Sequence, residues 1–427
     1  MTINEYIAQY DNPTLWFVEE VKQPYHLKRI SNAIANRDYL AGNHKVKLRE
    51  DTKYKGKQFI VRKTILNYAK TVLRFHDTYL LGKPVQLSGH EEMVKRFTDI
   101  TKKGEYETTD YMILDRVNKF GDAYEVVFVD EDVIKSKVLD SCDCYPVYSD
   151  KGEYLSFIEH WTDAYTNISY YNVYYQGYVE NWSNAGGEIH LVETKINVSG
   201  LPIHYHNFSD TDYNFGESLL TDMIPIMDEL EDILSKFGDA IYTNSLNPMP
   251  VAIGQRIEST IPADAMGYVM NLDSGDYKVV STTMDYNSVR LYLNELKQFL
   301  SDISCVPTIF NAGTEISNIS ETSMRLLMHM ANVLSDENKK WLNRGFKQRF
   351  AIIAHILKMQ GVNLCDDNCL EVVYNISMPV ATTEMINNLK ALRDLGAISI
   401  ETIMEKSDIV SDVESEKVRL SGENTTL

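Results

Sequence analysis

The chain has 427 residues, 44% of them apolar and 24% charged, a balance that fits a globular protein with one large core or two or three smaller ones and excludes a disordered or fibrous chain. With 61 acidic against 42 basic side chains the formal charge is −19, which argues against a protein that coats nucleic acid through bulk positive charge. No apolar run approaches the roughly 18 residues of a membrane-spanning helix, and Met1 to Pro13 lacks the basic and apolar parts of a secretory signal, so a soluble intracellular protein is expected.

Between Val21 and Pro84 there are 15 Lys or Arg against 4 Asp or Glu. That local excess leaves the rest of the chain strongly acidic, so two electrostatic territories are being built. From about Lys63 to Leu81 the apolar residues Ile65, Leu66, Ala69, Val72 and Leu73 recur at helical spacing, and Gly82-Lys83-Pro84 supplies a stop. From about Gly121 to Val198 short β-type runs follow, among them Ala123 to Val129, Tyr154 to Ile158 and Val173 to Tyr175, separated by turns such as Ser149-Asp-Lys-Gly152. An antiparallel sheet region is expected there. The tyrosines of 165–178 fit aromatic residues alternating on half-buried strands and need no ligand. His204 and His206, two apart, project to one side of a strand, too few ligands for a metal site.

From Gly216 to about Leu246 an apolar stripe (Met223, Ile226 or Met227, Leu230, Ile233 or Leu234, Phe237, and Ala240 or Ile241) marks a helix of about 30 residues, roughly 45 Å long. Its other faces carry Asp222, Asp228, Glu229, Glu231, Asp232 and Asp239, and Pro225 either kinks it or begins its regular part. Such a helix suits a bundle wall, or one of many copies packed side by side. After Asn247-Pro248 and a mixed stretch, a second helix runs from about Asp285 to Ser304 and breaks at Pro307. A polar loop leads to Ser320, a suitable N-cap for a third helix that reaches toward Gly361. Lys339, Lys340, Arg344, Lys347 and Arg349 give the middle of that helix a basic character.

Catalytic motifs are missing. Gly82-Lys83-Pro84 lacks the glycine-rich lead of a phosphate-binding loop, and His90-Glu91-Glu92-Met93-Val94 has Val where a zinc-protease helix needs its second His. No nucleophile elbow or dinucleotide fingerprint is present. The five cysteines, with Cys142 and Cys144 two apart and Cys365 and Cys369 four apart, do not share a zinc spacing. No enzymatic activity, cofactor or metal is expected.

Four segments then carry a resemblance. Leu80-Leu-Gly-Lys-Pro-Val85, Gly200-Leu-Pro-Ile-His-Tyr-His-Asn-Phe208, Asp222 to Asn244 with Met227-Asp228-Glu229-Leu230 and Ser235, and Leu395-Gly396-Ala-Ile-Ser399-Ile-Glu401-Thr402 through Glu416 occur in one order across nearly the whole chain. They resemble the portal proteins of long-tailed, siphovirus-type bacteriophages, in the family typical of phages of Gram-positive hosts. One departure is Ser320-Glu321-Thr322-Ser323, where many members read Ser-Gly-x-Ala.

The resemblance implies an α+β, ring-forming subunit. It has a mixed α/β wing (1–216), stem helices at 217–246 and 285–306, and a small α/β clip between them (247–284). A tunnel loop (307–320), a long wing helix with a return strand (321–380) and a short helical crown (381–427) complete it. It implies a homo-oligomeric ring, usually a dodecamer, at one capsid vertex of the virion and assembled in the host cytoplasm. Double-stranded DNA passes through without sequence specificity during packaging, head-tail joining and ejection. Terminase, the major capsid and scaffolding proteins and head-completion or adaptor proteins are the implied partners, with no membrane. In the tunnel loop Asn311, Thr314, Glu315, Ser317, Asn318 and Ser320 offer polar groups and Ile316 and Ile319 apolar ones, able to touch a DNA backbone of any sequence. An acidic stem around DNA repels phosphates evenly, so that a duplex slides. The basic stretch 21–84 is then expected to face another partner, an acidic neighbouring subunit or the capsid shell. The rival reading is a cytosolic helical scaffold or adaptor that binds protein partners and not DNA.

Overall fold

The computed structural model describes residues 1–54, 57–242, 249–254, 276–280, 285–307, 325–362, 370–376, 382–406 and 413–423. They divide into two compact units, 1–313 with 330–376, and 314–329 with 377–427.

The first unit opens with α1 (Ile3–Ile7), α2 (Trp16–Glu20) and α3 (Pro24–Leu40). A small hairpin, β1 (Thr52–Tyr54) with β2 (Lys57–Phe59), precedes α4 (Tyr68–Leu81), β3 (Gln86–Gly89), α5 (Glu91–Lys103) and α6 (Tyr106–Phe120). The expected single β region forms two sheets. β4 (Asp122–Asp130) and β5 (Val133–Val138) join β11 (Ile203–His206) in the order β11-β4-β5. β6 (Cys144–Tyr148), β7 (Tyr154–Thr162), β8 (Ser169–Tyr174), β9 (Tyr178–Ser183) and β10 (His190–Ile196) form an antiparallel meander. The physical reason is the 3-10 turn at Ser141–Asp143, where the Ser141 hydroxyl donates to the Asp122 carbonyl at 2.8 Å and the chain leaves the first sheet.

The tyrosine-rich strands behave as a half-buried sheet should. Tyr171, Val173 and Tyr175 face inward against Trp16, Phe17 and Val21 of the N-terminal segment, and the Tyr171 ring stacks on His160 at 4.0 Å. Trp16 donates its indole N–H to the Tyr175 hydroxyl at 3.1 Å, so the polar end of the aromatic is satisfied.

α7 (Leu220–Ile241) and α8 (Tyr286–Ser304) follow, with the antiparallel pair β12 (Met249–Ile253) and β13 (Asp276–Val280) between them. The expected end of α7 near Leu246 lies outside the described residues, and the helix starts at Leu220, later than the Gly216 the stripe suggested, after a crowded junction. There Gly121, at φ 87°, ends α6, and a Cβ on Gly216 would stand 2.1 Å from the Gly121 carbonyl oxygen. Only glycine lets these two backbones cross. Pro225 lies inside α7, near its start.

α9 (His329–Met359) follows a turn at Met328 and the helical residues 325–327, while the expected start at Ser320 lies outside the described residues, and β14 (Leu370–Val373) returns to pair with β3. Its stripe of Trp341, Leu342, Phe346, Phe350 and Ile353 packs on α5, α6, β4 and β11 in the largest cluster. Tyr205 of β11 lies flat enough on α9 that a Cβ at Gly345 would stand 1.9 Å from its ring.

The second unit contains α10 (Thr382–Asp394), α11 (Ile400–Lys406) and α12 (Val413–Glu423). Ser399 caps α11 by accepting the Thr402 N–H at 3.1 Å, and Lys417 pairs with Glu401 at 3.0 Å.

Candidate functional site

The α7–α8 pair is the centre of a separate apolar cluster. Met223, Met227 and Leu230 of α7 meet Leu296 and Leu300 of α8 and Ala69, Val72 and Leu73 of α4. Because α7 buries one stripe here, its acidic residues are forced onto the remaining faces.

Four of those six acidic residues turn toward the basic N-terminal segment of the same chain. The Glu231 carboxylate is fully buried and accepts from His44 Nδ1 at 2.6 Å and from the Leu66 N–H at 2.6 Å. Ser235 Oγ accepts the Thr64 N–H at 2.9 Å, and Asp239 accepts the Arg62 N–H at 2.9 Å and Arg49 Nη2 at 3.0 Å. Asp232 lies 3.8 Å from Arg49 Nε and pairs with Lys236 at 2.5 Å. Asp228 sits beside Tyr39 and Lys45, and burial raises its pKa.

The register of this contact has a simple origin. Residues 62, 64 and 66 are two apart on an extended chain, about 6.6 Å per step. Residues 239, 235 and 231 are four apart on α7, about 6.0 Å per step. An extended strap therefore runs antiparallel along the helix with every second N–H meeting a side-chain acceptor. This is also why helix α4 starts at Tyr68 and not near Lys63: the preceding amides are committed to α7.

Part of the acidic row is thus engaged within the chain, by His44, Arg49 and the Arg62 N–H of the basic stretch. Asp222 and Glu229 stay exposed on the open stripe of α7, where Glu229 accepts the Tyr292 hydroxyl at 3.1 Å. Side chains of 52–59, with Lys53, Lys55 and Lys57, lie outside the described residues. So do Asn311, Thr314, Glu315, Ile316, Ser317, Asn318, Ile319 and Ser320, and Cys365 and Cys369.

The exposed surface of α8 is partly apolar. Leu291, Tyr292, Phe299 and Ile303 are 62%, 44%, 49% and 48% exposed, flanking the stripe that packs on α7. α8 is thus apolar over more of its circumference than this chain covers.

The described part of the sequence matches the family described as phage portal protein, SPP1 Gp6-like, over residues 19–425. The chain belongs to the phage portal protein family. This is a structural family of virion proteins, which leaves the adaptor reading without support. Three solved chains of gene transfer agent (GTA) particles are similar in fold. One from the neck of the empty particle computed with C6 symmetry has 13% identity over 78% of this chain and 87% of that chain, at TM-score 0.50. One from the neck of the native particle computed with C12 symmetry has 13% identity over 80% and 89%, at 0.48, and one from the virion of the native particle has 12% over 80% and 89%, at 0.47. No curated protein matches the chain.

Elsewhere in this portal-family chain, the two histidines of β11 are committed to hydrogen bonds. His204 Nε2 donates to Asp122 at 2.8 Å and its Nδ1 accepts from the Tyr148 hydroxyl at 2.5 Å, while burial pushes its pKa down to about 4. His206 accepts from Arg344 at 3.4 Å and donates to the Asn207 carbonyl at 3.0 Å. Cys142 and Cys144 are buried free thiols. Among the described residues no helix is long and apolar enough to cross a membrane.

Proposed function

We propose that this portal-family chain assembles into a closed ring, a dodecamer, at one vertex of the capsid, with double-stranded DNA passing through its centre. The observation that carries the ring is the exposed apolar face of α8. Leu291, Phe299 and Ile303 are exposed beside the stripe that packs on α7, and a neighbouring copy's stem pair is the natural cover for a repeated heterologous contact. In this reading 217–246 and 285–306 are the stem, 247–284 the clip that meets terminase and later head-completion proteins, 307–320 the tunnel loop, and 381–427 the crown. The wing, 1–216 with 321–380, faces the major capsid and scaffolding proteins.

The duplex would meet a stem whose acidic charge is in part compensated within the chain. The exposed Asp222 and Glu229 repel phosphates weakly, so this face of α7 offers no deep electrostatic well in which DNA could lodge. Passage without sequence preference follows from the absence of a base-reading element in such a wall. Assembly would take place in the host cytoplasm, before the particle is complete.

Native mass spectrometry of the full chain tests the ring directly. A mass of about twelve subunits is expected for the wild type, and Leu291→Ser with Phe299→Ser should shift it to monomers while the thermal transition of the protomer stays in place. A wild type that remains monomeric at every concentration and salt would overturn the reading.

A further inference from the structure

Helix α4 belongs to two hydrophobic clusters. Its first half supplies Ala69, Val72 and Leu73 to the α7–α8 cluster, and its end supplies Leu80 and Leu81 to the large cluster around α9. Between the two, His76, Asp77 and Tyr79 are 2%, 1% and 3% exposed, and each reaches a different element. His76 Nε2 lies 2.7 Å from the carbonyl oxygen of Ser304, the last residue of α8. Asp77 Oδ1 accepts from Asn118 Nδ2 of α6 at 2.7 Å. The Tyr79 hydroxyl donates to Asn332 Oδ1, in the first turns of α9, at 2.7 Å.

The chemistry of these contacts is directional. A carbonyl only accepts, so the proton of His76 sits on Nε2, and burial lowers the ring's pKa to about 4, which keeps it neutral near pH 7. The Ser304 carbonyl is one of the last four of α8, which have no partner within the helix, so His76 supplies a cap that α8 cannot make for itself. His76 and Tyr79 are three apart and share a face of α4. Phe75 stacks on Tyr79 with ring centroids 5.5 Å apart, which limits the freedom of the tyrosine.

We propose that His76 and Tyr79 are positioning residues that tie the end of α8 to the start of α9, so that a displacement of either helix is passed to the other through α4. The hydrogen-bonded route through α4 is short, buried at the His76 end and part-buried at Asn332. What the tie does in the particle rests on the portal reading above, since α8 is there a stem helix and α9 the long wing helix: contacts made at the wing would reach the stem by this route.

Hydrogen exchange on the full chain tests it, with wild type, Tyr79→Phe, His76→Leu and His76→Gln. Tyr79→Phe touches only α9 directly, yet it should speed amide exchange in the last turn of α8 about fivefold as well as in the first turns of α9. His76→Leu should do the same in the reverse direction, and His76→Gln, which keeps an N–H donor near the position of Nε2, should restore wild-type rates in both helices. Acceleration confined to the helix whose own hydrogen bond was removed would overturn the proposal. If His76→Leu does not fold, Tyr79→Phe, which deletes a single oxygen, gives the same two outcomes. Ring mass measured on the same samples separates the two ideas. A monomeric wild type sinks the portal assembly and leaves the exchange result to decide the tie, whereas rings with confined exchange sink the tie alone.

Discussion

At Asp77 a single carboxyl makes stability depend on pH. Burial, with the nearby Asp115 carboxylate adding to it, raises its pKa from 3.8 to about 8, while Asn118 and Lys119 oppose the shift. A raised folded-state pKa means that the native protein holds a proton the unfolded chain would release. The contribution is therefore fully present below about pH 4 and is lost as pH rises toward 8 and past it. Asp77→Asn keeps the acceptor for Asn118 and removes the titration, so its melting temperature should exceed the wild type by roughly 5 °C at pH 9, and the excess should shrink steadily toward pH 4. A constant offset across that range would show that Asp77 does not titrate there. Arg349 makes a related point about legibility. In the sequence it is one of five cations on the long helix, but it is 2% exposed, binds both Glu125 oxygens at 2.9 and 3.0 Å and meets Asp110 at 2.5 Å. Its neighbours Lys340 and Lys347 stay exposed. A helical period of 3.6 assigns Arg349 to the inward face beside Phe346 and Phe350, but only the acids of α6 and β4 make that burial tolerable.

At the scale of elements, the strap on α7 is a ladder between an extended chain and helix side chains, and its strength is uneven. Glu231 takes two donors in a buried site, so Glu231→Ala leaves His44 and the Leu66 amide without an acceptor and should destabilise the unit by about 3 kcal/mol. Ser235→Ala removes one neutral bond and should cost about 1 kcal/mol. Limited proteolysis reads the difference as cleavage between 44 and 66, fast in the first variant and slow in the second. An unchanged digestion pattern in Glu231→Ala would show that the strap is held by other contacts. The helices themselves were legible from apolar spacing, because Met223, Met227 and Leu230 or Trp341, Phe346 and Phe350 bury the stripes that period predicts. The strap was not, because extended residues 61–66 contain apolar positions that also fit a helix.

For the whole molecule, the function depends on a surface that one chain leaves open. In the proposed assembly the apolar side of α8 is of use in a ring and a liability outside it, and DNA passage would require that the centre of that ring stay free of tight contacts. Within the proposed tunnel loop, Glu315→Ala with Asn318→Ala should leave the ring mass unchanged and lower the fraction of particles that package or retain DNA several-fold, read by nuclease protection of the packaged genome. Normal packaging and retention would remove these two residues from the channel.

Family, fold class and the long helices could be read from the sequence by itself, because apolar period and the order of four motifs are properties of the chain that need no partner. The charge segregation was equally plain, but its meaning was decided by tertiary structure. Whether an acidic helix and a basic stretch face outward to different partners or inward to each other depends on where the chain folds back. That was set by the spacing match between an extended strap and the i, i+4 rows of α7, and by the crossing at Gly121 and Gly216 that starts α7 where it does.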